Sequence, residues 1–357
     1  MKKVIDIAKD VYRAYRKPLR TDASKRFNFF PLSLEPLVIF TYTGWDLGNV
    51  FHMSRELGRR RACFVVGFTR YPRRWHLMYM KRQLRAYMNE FPRNKIAFLA
   101  NSEEECENMI GVGFEAYQVS NNTFQREDQF ALDKNAEKQY DAVINSRLAP
   151  WKRIELARDV KNLAIITILD DPDYGEFIRY ELRHAYWANF KEGGYSYLSR
   201  SEVSTVVNQS RVGLILSALE GNNRASIEYL LCGLPVVSTP SKGGRDVFFD
   251  EEYCLIVNSN PGAVRDAVAD LVGRNHDPVK IREKTIDKIV DYRHRFSSIV
   301  SMLTDGRVVI NVSDWLDKYP DNMDFRCSPN NFIKFLDGPY LLDNPFAKSE
   351  KSIEMGS

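Results

Sequence analysis

Residues 211–244 read RVGLILSALEGNNRASIEYLLCGLPVVSTPSKGG, and this stretch decides the fold class. The apolar run at 212–217 predicts a buried strand, because it is rich in β-branched and aliphatic residues and too short for a helix. A helical period follows at 224–233, and the run PVVS at 235–238 predicts a second buried strand. Two strands joined by a helix form a parallel pair, which is the unit of an α/β protein.

The same alternation continues on both sides of this stretch, so we predict parallel sheets covered by helices. Further strands are predicted at 37–42, 62–68, 96–100, 116–119, 142–145, 163–169, 195–198 and 254–257. Further helices are predicted at 48–60, 75–89, 102–111, 151–160, 174–187, 202–209, 261–273 and 278–303. Two α/β domains in tandem are expected to hold a ligand at the carboxyl ends of their strands.

The predicted organisation has two Rossmann-like domains and two flanking segments. A chain of 357 residues suits two domains, at roughly 150 residues for each. The polar stretch 121–138 lacks an apolar period and is predicted to be the interdomain linker. The predicted parts are a basic amphipathic N-terminal segment at 1–30, an N-terminal domain at 31–125, a C-terminal domain at 139–303 and an extension at 304–357.

Composition is ordinary for a globular protein, with 44% hydrophobic and 27% charged residues. It argues against a disordered, fibrous or membrane-embedded chain, and the N-terminus lacks the apolar stretch of a signal peptide. Five scattered cysteines without a CxxC pair favour reduced thiols and a cytoplasmic location over a disulfide framework. They are Cys63, Cys106, Cys232, Cys254 and Cys327.

Positive charge is concentrated in two places, although the whole chain carries only +4. Residues 1–30 hold nine Lys and Arg against three Asp, and residues 59–85 hold nine Lys and Arg with no acidic residue. Aromatic residues are interleaved in the second segment. Such segments suit an anionic partner, which could be a lipid headgroup, a phosphate-bearing acceptor or nucleic acid. The alternative is a pair of solvated helices whose aromatic side chains pack inward.

The loop after the strand at 212–217 carries the residues best placed for chemistry. Glu220 lies at the carboxyl end of the strand, and Gly221 allows a ligand to approach the backbone. Asn222 or Asn223 can cap the following helix, whose start favours a phosphate or another anion. Glu228 lies about two helical turns further along and can reach a second part of the same ligand.

Two motifs here resemble those of the retaining GT-B glycosyltransferases of family 4, also called glycosyltransferase group 1. Glu220 and Glu228 match the E-x7-E motif of that family, with CGLPVV and a glycine pair following in the expected order. The segment NSRLAPWKR at 145–153 is similar to the family segment in which an Arg and a Lys grip the donor diphosphate. Those positions are Arg147 and Lys152 here. The resemblance covers about residues 140–275.

The resemblance implies a GT-B fold with a reduced N-terminal domain, and transfer of a sugar from a nucleotide-sugar donor with retention of configuration. Arg147 and Lys152 would hold the diphosphate, Glu228 would bind the ribose, and Glu220 would orient the donor sugar as the catalytic residue. Gly221 and Asn222 would line the donor site, since Gly221-Asn222-Asn223 replaces the common Gly-Phe-Gly. No metal cofactor is expected, because positioned cations stabilise the leaving diphosphate.

The acceptor is predicted to be a glycan or a lipid-linked molecule of polysaccharide or glycoconjugate biosynthesis. The basic segments 1–30 and 59–85 would then attract an anionic membrane surface, which makes the protein peripheral at the inner face of the membrane. His76 is the candidate acceptor-side base, although a lone His is more often a packing or surface residue.

Three alternatives stay open at this stage. Asp171-Pro172-Asp173 follows an apolar strand and resembles the metal-binding DxD of GT-A glycosyltransferases, or it caps the next helix. A sugar-nucleotide epimerase would share the two-domain architecture. A non-enzymatic module would bind nucleic acid or an anionic glycan, but the acidic pair Glu220 and Glu228 would repel a polyanion, so no nucleic acid is expected.

Overall fold

The computed structural model describes residues 28–44, 46–191, 194–318, 332, 333 and 336. The chain divides into two compact units, which are described one at a time. The first comprises Met1–Ala100, Cys106–Gln118 and Phe296–Ser357, and the second comprises Asn101–Glu105 and Val119–Arg295. Most of the predicted basic segment 1–30 and most of the extension 304–357 lie outside the described residues.

The first unit is built on a five-stranded sheet with the order β1-β2-β3-β4-β5. Its strands are β1 (Phe30–Leu34), β2 (Leu37–Thr43), β3 (Cys63–Phe68), β4 (Lys95–Ala100) and β5 (Ala116–Gln118). Four were predicted from their apolar runs. Strand β1 was missed, because it is a short edge strand that contains Pro31 and pairs antiparallel to β2. The other pairs are parallel.

Three helices join these strands, and all three were predicted to within three residues. They are α1 (Gly48–Leu57), α2 (Arg74–Glu90) and α3 (Glu103–Gly111). The apolar stripe of α2 includes Leu77, Met80 and Tyr87, which are buried against the sheet. Helical spacing leaves the remaining face of α2 to solvent.

The second unit contains a six-stranded parallel sheet with the order β13-β12-β11-β6-β7-β8. Its strands are β6 (Tyr140–Leu148), β7 (Leu163–Leu169), β8 (Tyr186–Trp187), β11 (Ser210–Ile215), β12 (Val236–Ser238) and β13 (Cys254–Ile256). The helices are α4 (Pro172–Glu181), α5 (Arg200–Asn208), α6 (Arg224–Leu231), α7 (Pro261–Gly273) and α8 (Pro278–Leu303). The end of α8, from Phe296 onward, and α9 (Val312–Lys318) belong to the first unit. A small hairpin, β9 (Phe190–Lys191) with β10 (Gly194–Tyr195), stands apart from this sheet.

This strand order creates a switch point between β6 and β11. The chain runs from β6 outward through β7 to β8, and then returns to β11 on the other side of β6. The loops after β6 and β11 therefore leave the sheet in opposite directions and open a crevice at its carboxyl edge. Open α/β sheets bind their ligands in such a crevice.

The segment 151–160 differs from the prediction, which gave it one helix. It forms two short 3₁₀ turns, Pro150–Lys152 and Ile154–Ala157. Arg153 lies between them with a left-handed φ of 51°, so a continuous helix is interrupted. The Arg153 guanidinium donates hydrogen bonds to the Leu216 carbonyl (2.7 Å) and the Thr239 hydroxyl (2.8 Å). These contacts bind the segment to the ends of β11 and β12 and outweigh its helical propensity.

The predicted linker 121–138 is part of the second unit and is held within it by side chains of α8. Arg293 of α8 donates to Glu127 at 2.6 and 2.8 Å, and Arg282 donates to the carbonyls of Glu127 and Phe130. Phe130 itself is buried in the core of that unit. A polar stretch with little periodicity is therefore held by charged side chains of a distant helix.

Among the described residues, no helix has both the length and the apolar character needed to cross a bilayer.

Candidate functional site

Lys152 and Glu220 meet at the carboxyl edge of the second unit's sheet. Lys152 ends the first 3₁₀ turn after β6, Glu220 lies in the loop after β11, and the two side chains form a close ion pair. Each side chain is only 13% exposed. Asn223 Nδ2 also donates to Glu220 Oε1, at 3.3 Å. Two residues 68 positions apart are thus joined where the topology predicts a ligand.

The loop that holds Glu220 is fixed by backbone hydrogen bonds to the segment after β12. Glu220 N–H donates to the Lys242 carbonyl (3.0 Å), and Gly244 N–H donates to the Gly221 carbonyl (2.7 Å). Gly243 has a φ of 103°, and a Cβ atom there would lie 1.6 Å from the Glu220 carbonyl oxygen. Only glycine fits at this position, so the predicted glycine pair serves a close approach of two backbone segments.

Glu228 is a buried carboxylate on α6, 8% exposed. Its Oε2 accepts a hydrogen bond of 3.0 Å from Asn145 Nδ2 on β6. Burial raises the pKa of Glu228 to about 7, against the lowering effect of Arg224, Asn145 and Arg200. A hydroxyl-bearing ligand that donated to this carboxylate would lower its pKa again.

Tyr229, next to Glu228, sets the position of Asn145. The hydroxyl oxygen of Tyr229 accepts a hydrogen bond from the Asn145 backbone N–H at 2.5 Å, and the side chain is fully buried. Gly213 in β11 makes room for the ring, since a Cβ atom there would lie 2.1 Å from Tyr229 Cδ2. The packing of the Tyr229 ring therefore explains why a glycine lies in the middle of this strand.

Arg147, the second predicted diphosphate ligand, lies two residues beyond Asn145 near the carboxyl end of β6. Its side chain is 60% exposed, and its Nη1 lies 4.0 Å from Asp170 Oδ2. Arg147 and Lys152 thus both lie at this edge of the sheet. Arg147 is open to solvent, and Lys152 is paired with Glu220.

The asparagines at the start of α6 have separate roles. Asn223 caps the helix, because its side chain accepts a hydrogen bond from Ser226 N–H at 3.1 Å. Asn222 Nδ2 donates to Asn122 Oδ1 (3.0 Å), and Asn122 Nδ2 donates in turn to the Asn223 carbonyl (2.9 Å). Asn222 therefore faces the loop at 120–124, and Gly221 lies beside it.

Two arginines that were not predicted hold the site together. The fully buried Arg245 donates to the carbonyls of Ser217 (2.6 Å) and Thr239 and pairs with Asp246. Arg153 donates to neighbouring carbonyls and hydroxyls, as described above. The bond from Arg245 to Ser217 spans 28 residues, and those from Arg153 to Leu216 and Thr239 span 63 and 86, so no local pattern could reveal them. The one signal was the position of Arg245 directly after the glycine pair.

His76, the candidate acceptor-side base, is in the first unit at the start of α2. It is 2% exposed, and its Nδ1 accepts a hydrogen bond from the Arg73 backbone N–H at 3.1 Å as part of a capping box. Burial lowers the pKa of His76 to about 3, and the charges of Arg73 and Arg70 lower it further. The imidazole is therefore neutral at physiological pH and has a local structural role.

Asp171, the first acid of the DxD segment, caps α4. Its side chain accepts a hydrogen bond from Tyr174 N–H at 3.1 Å. This hydrogen bond therefore supports the helix-capping interpretation of the segment.

No protein-family model matches the chain, and no curated protein sequence does so either. Solved structures with a similar fold are found, however. Anabaena HepE in complex with UDP and glucose aligns with a TM-score of 0.54 at 15% identity, over 73% of this chain and 77% of that chain. Sucrose-phosphate synthase from Thermosynechococcus elongatus aligns with a TM-score of 0.53 at 14% identity, over 76% and 72%. This chain has the GT-B fold. The predicted fold class is thereby confirmed.

Proposed function

We propose that this protein is a glycosyltransferase that moves a sugar from a nucleotide-sugar donor to a glycan or lipid-linked acceptor, with retention of anomeric configuration. The observation that carries the proposal is the convergence of Lys152, Glu220 and Glu228 at the switch point of one sheet. The E-x7-E spacing and the fold shared with UDP-bound HepE support it.

The cations at this edge suit the leaving group. A nucleoside diphosphate gains negative charge as the glycosidic bond breaks, and Lys152 and Arg147 can stabilise that charge at its oxygens. Lys152 is partly withdrawn from solvent, so its charge acts in a medium of lower dielectric constant than water. In this mechanism the diphosphate replaces Glu220 as the partner of the Lys152 ammonium group.

The two glutamates then bind the rest of the donor. Glu220, released from Lys152, accepts hydrogen bonds from the donor sugar's hydroxyl groups and orients the sugar for transfer. Glu228 accepts hydrogen bonds from the ribose hydroxyl groups. Because ribose binding stabilises the ionised carboxylate, donor binding below pH 7 is accompanied by release of a proton from Glu228.

The anionic partner is proposed to be a membrane that carries the lipid-linked acceptor. On α2 the solvent face combines Trp75 (42% exposed) and Met78 (49% exposed) with the exposed Arg74, Arg82 and Arg85. Cationic residues around an aromatic and an aliphatic side chain suit an anionic lipid surface. Cosedimentation with phosphatidylserine vesicles should weaken with salt and with Arg82→Glu, and equal binding to neutral vesicles would contradict this assignment.

The function is tested by ligand-induced stabilisation followed by a product assay. Thermal unfolding is measured with UDP, GDP, ADP, CMP and dTDP, with and without EDTA, for the native protein, Lys152→Ala and Glu228→Ala. A nucleotide at 100 times its Kd should add about 2.7 kcal/mol of stability. The exposed Lys161→Ala and Glu283→Ala are matched controls and should keep the full shift.

The outcomes separate the proposal from its rivals. Stabilisation by one nucleotide that survives EDTA and is lost in both site variants supports the donor site. A shift that needs a divalent metal would favour Asp171 and Asp173 instead. Turnover of the matching nucleotide sugar, followed by NMR, distinguishes a retained anomer from an inverted one and from an epimerised donor. No response to any nucleotide would overturn the proposal.

A further inference from the structure

Glu105 is a buried carboxyl group that the mechanism above does not use. It lies in the first turn of α3, within the segment Asn101–Glu105 that belongs to the second unit. The residue is 1% exposed, and its Oε2 accepts a hydrogen bond of 2.9 Å from Asn101 N–H. Its Oε1 has no hydrogen-bond partner among the described residues. A buried oxygen without a donor disfavours the ionised form.

The unpaired oxygen faces the turn formed by Gly243 and Gly244. A Cβ atom at Gly243 would lie 3.2 Å from Glu105 Oε1, and one at Gly244 would lie 2.3 Å from the Asn101 carbonyl oxygen. The Gly244 N–H of this turn donates a hydrogen bond to the carbonyl of Gly221, which lies in the loop that carries Glu220. The position of this turn against Asn101 and Glu105 therefore fixes one wall of the proposed donor site.

The surroundings keep Glu105 protonated at neutral pH. Burial raises its pKa to about 8, the hydrogen bond from Asn101 opposes this, and the charge of Glu104 adds to it. The charged residues of the facing turn and of the loop bonded to it are Glu220, Lys242, Arg245 and Asp246. Glu220 is paired with Lys152, and Arg245 is paired with Asp246, so neither pair offers a free cation to a Glu105 carboxylate.

We propose that Glu105 is a positioning residue for the donor diphosphate: its neutral acid seats the Gly243–Gly244 turn, and its ionisation expels the diphosphate. This inference rests on the proposed function. A carboxylate at this place puts a buried negative charge beside the turn that is bonded to the Glu220 loop, at the edge where the diphosphate is proposed to bind, and like charges in a medium of low dielectric constant repel strongly. Donor affinity is therefore lost as pH rises through the titration of Glu105.

The test is the pH dependence of UDP binding, followed by calorimetry from pH 7.0 to 8.8. If only the protonated form binds, ionisation near pH 8 weakens binding by about sevenfold over this range in the native protein. Glu105→Gln keeps the size and polarity of the neutral acid without a titrating proton. It should bind UDP as well as the native protein at pH 7.0 and lose less than twofold at pH 8.8.

Two further variants separate positioning from simple packing. Glu105→Ala should bind UDP more weakly than the native protein does at every pH. Glu105→Gln, by contrast, should keep native binding at pH 7.0. Glu107→Gln removes an exposed charge from the same helix and should keep the native pH profile. Equal pH dependence in the native protein and in Glu105→Gln would overturn the role of Glu105 and leave the proposed function standing. If no variant bound UDP or any other nucleotide of the panel at any pH, the proposed function itself would fall, and this inference with it.

Discussion

Replacing Glu228 with glutamine should make the protein more stable above neutral pH while it weakens nucleotide binding. Burial raises the pKa of Glu228 to about 7 from its ordinary value of 4.5. The folded chain therefore holds this proton more tightly than the unfolded chain does. Between pH 4.5 and 7 the stability contributed by this group falls as pH rises, and above pH 7 it has been lost.

The size of the effect follows from the difference between the two pKa values. At about 1.36 kcal/mol per pKa unit, the ionised Glu228 lowers the free energy of unfolding by about 3 kcal/mol at pH 8 relative to pH 4. Glutamine does not titrate, and its amide oxygen can still accept the hydrogen bond from Asn145. The variant and the native protein should thus be about equally stable at pH 4.5 and differ by about 3 kcal/mol at pH 8.

Urea unfolding at half-unit steps from pH 4.5 to 8.5 measures this difference, with the exposed Glu283→Gln as the matched control. UDP binding of Glu228→Gln should weaken by roughly ten- to a hundredfold, because a charged acceptor is lost. A stability difference that stays constant with pH would refute the electrostatic reasoning. A variant that is less stable than the native protein at pH 8 would do the same.

Two further substitutions test the packing beneath the site. Gly213→Ala should destabilise the fold by about 1–3 kcal/mol, because its Cβ would overlap the buried ring of Tyr229, and urea unfolding measures the loss. Arg245→Leu should lower the free energy of unfolding by about 3–5 kcal/mol, because it leaves buried carbonyls and Asp246 unpaired. Arg265→Leu breaks an exposed pair and should change it by less than about 1 kcal/mol. Equal losses at the two arginines would contradict this account.

The sequence predicted those parts of the fold and site that depend on local pattern. Strands β6, β7 and β11 were found because each is a short apolar run with turn residues behind it. Glu220 was singled out because it follows such a strand, and Lys152 because its segment resembles the family's diphosphate-binding segment; parallel strands bring their carboxyl ends to one edge. That edge is where the structure places both residues.

What the sequence did not reveal depends on contacts between distant residues. The segment 151–160 has a helical pattern, but Arg153 is fixed by bonds to β11 and β12 and breaks the helix. Glu105 belongs to a run of three acids that looks like a solvated helix start, and only one of them is buried. His76 was a candidate base because it lies in the predicted acceptor domain, and its capping hydrogen bond is visible only in the folded chain.

An acidic pair beside a diphosphate appears contradictory, since carboxylates repel phosphate. The structure offers a physical resolution for each acid in turn. The charge of Glu220 is balanced by Lys152, so the pair is neutral as a whole. Glu228 has a pKa raised to about 7 and Glu105 one raised to about 8, so near neutral pH neither carries a full charge on average. Burial thus lowers the average negative charge at this edge before the donor arrives, and the ribose hydroxyl groups proposed to donate to Glu228 then stabilise its ionised form.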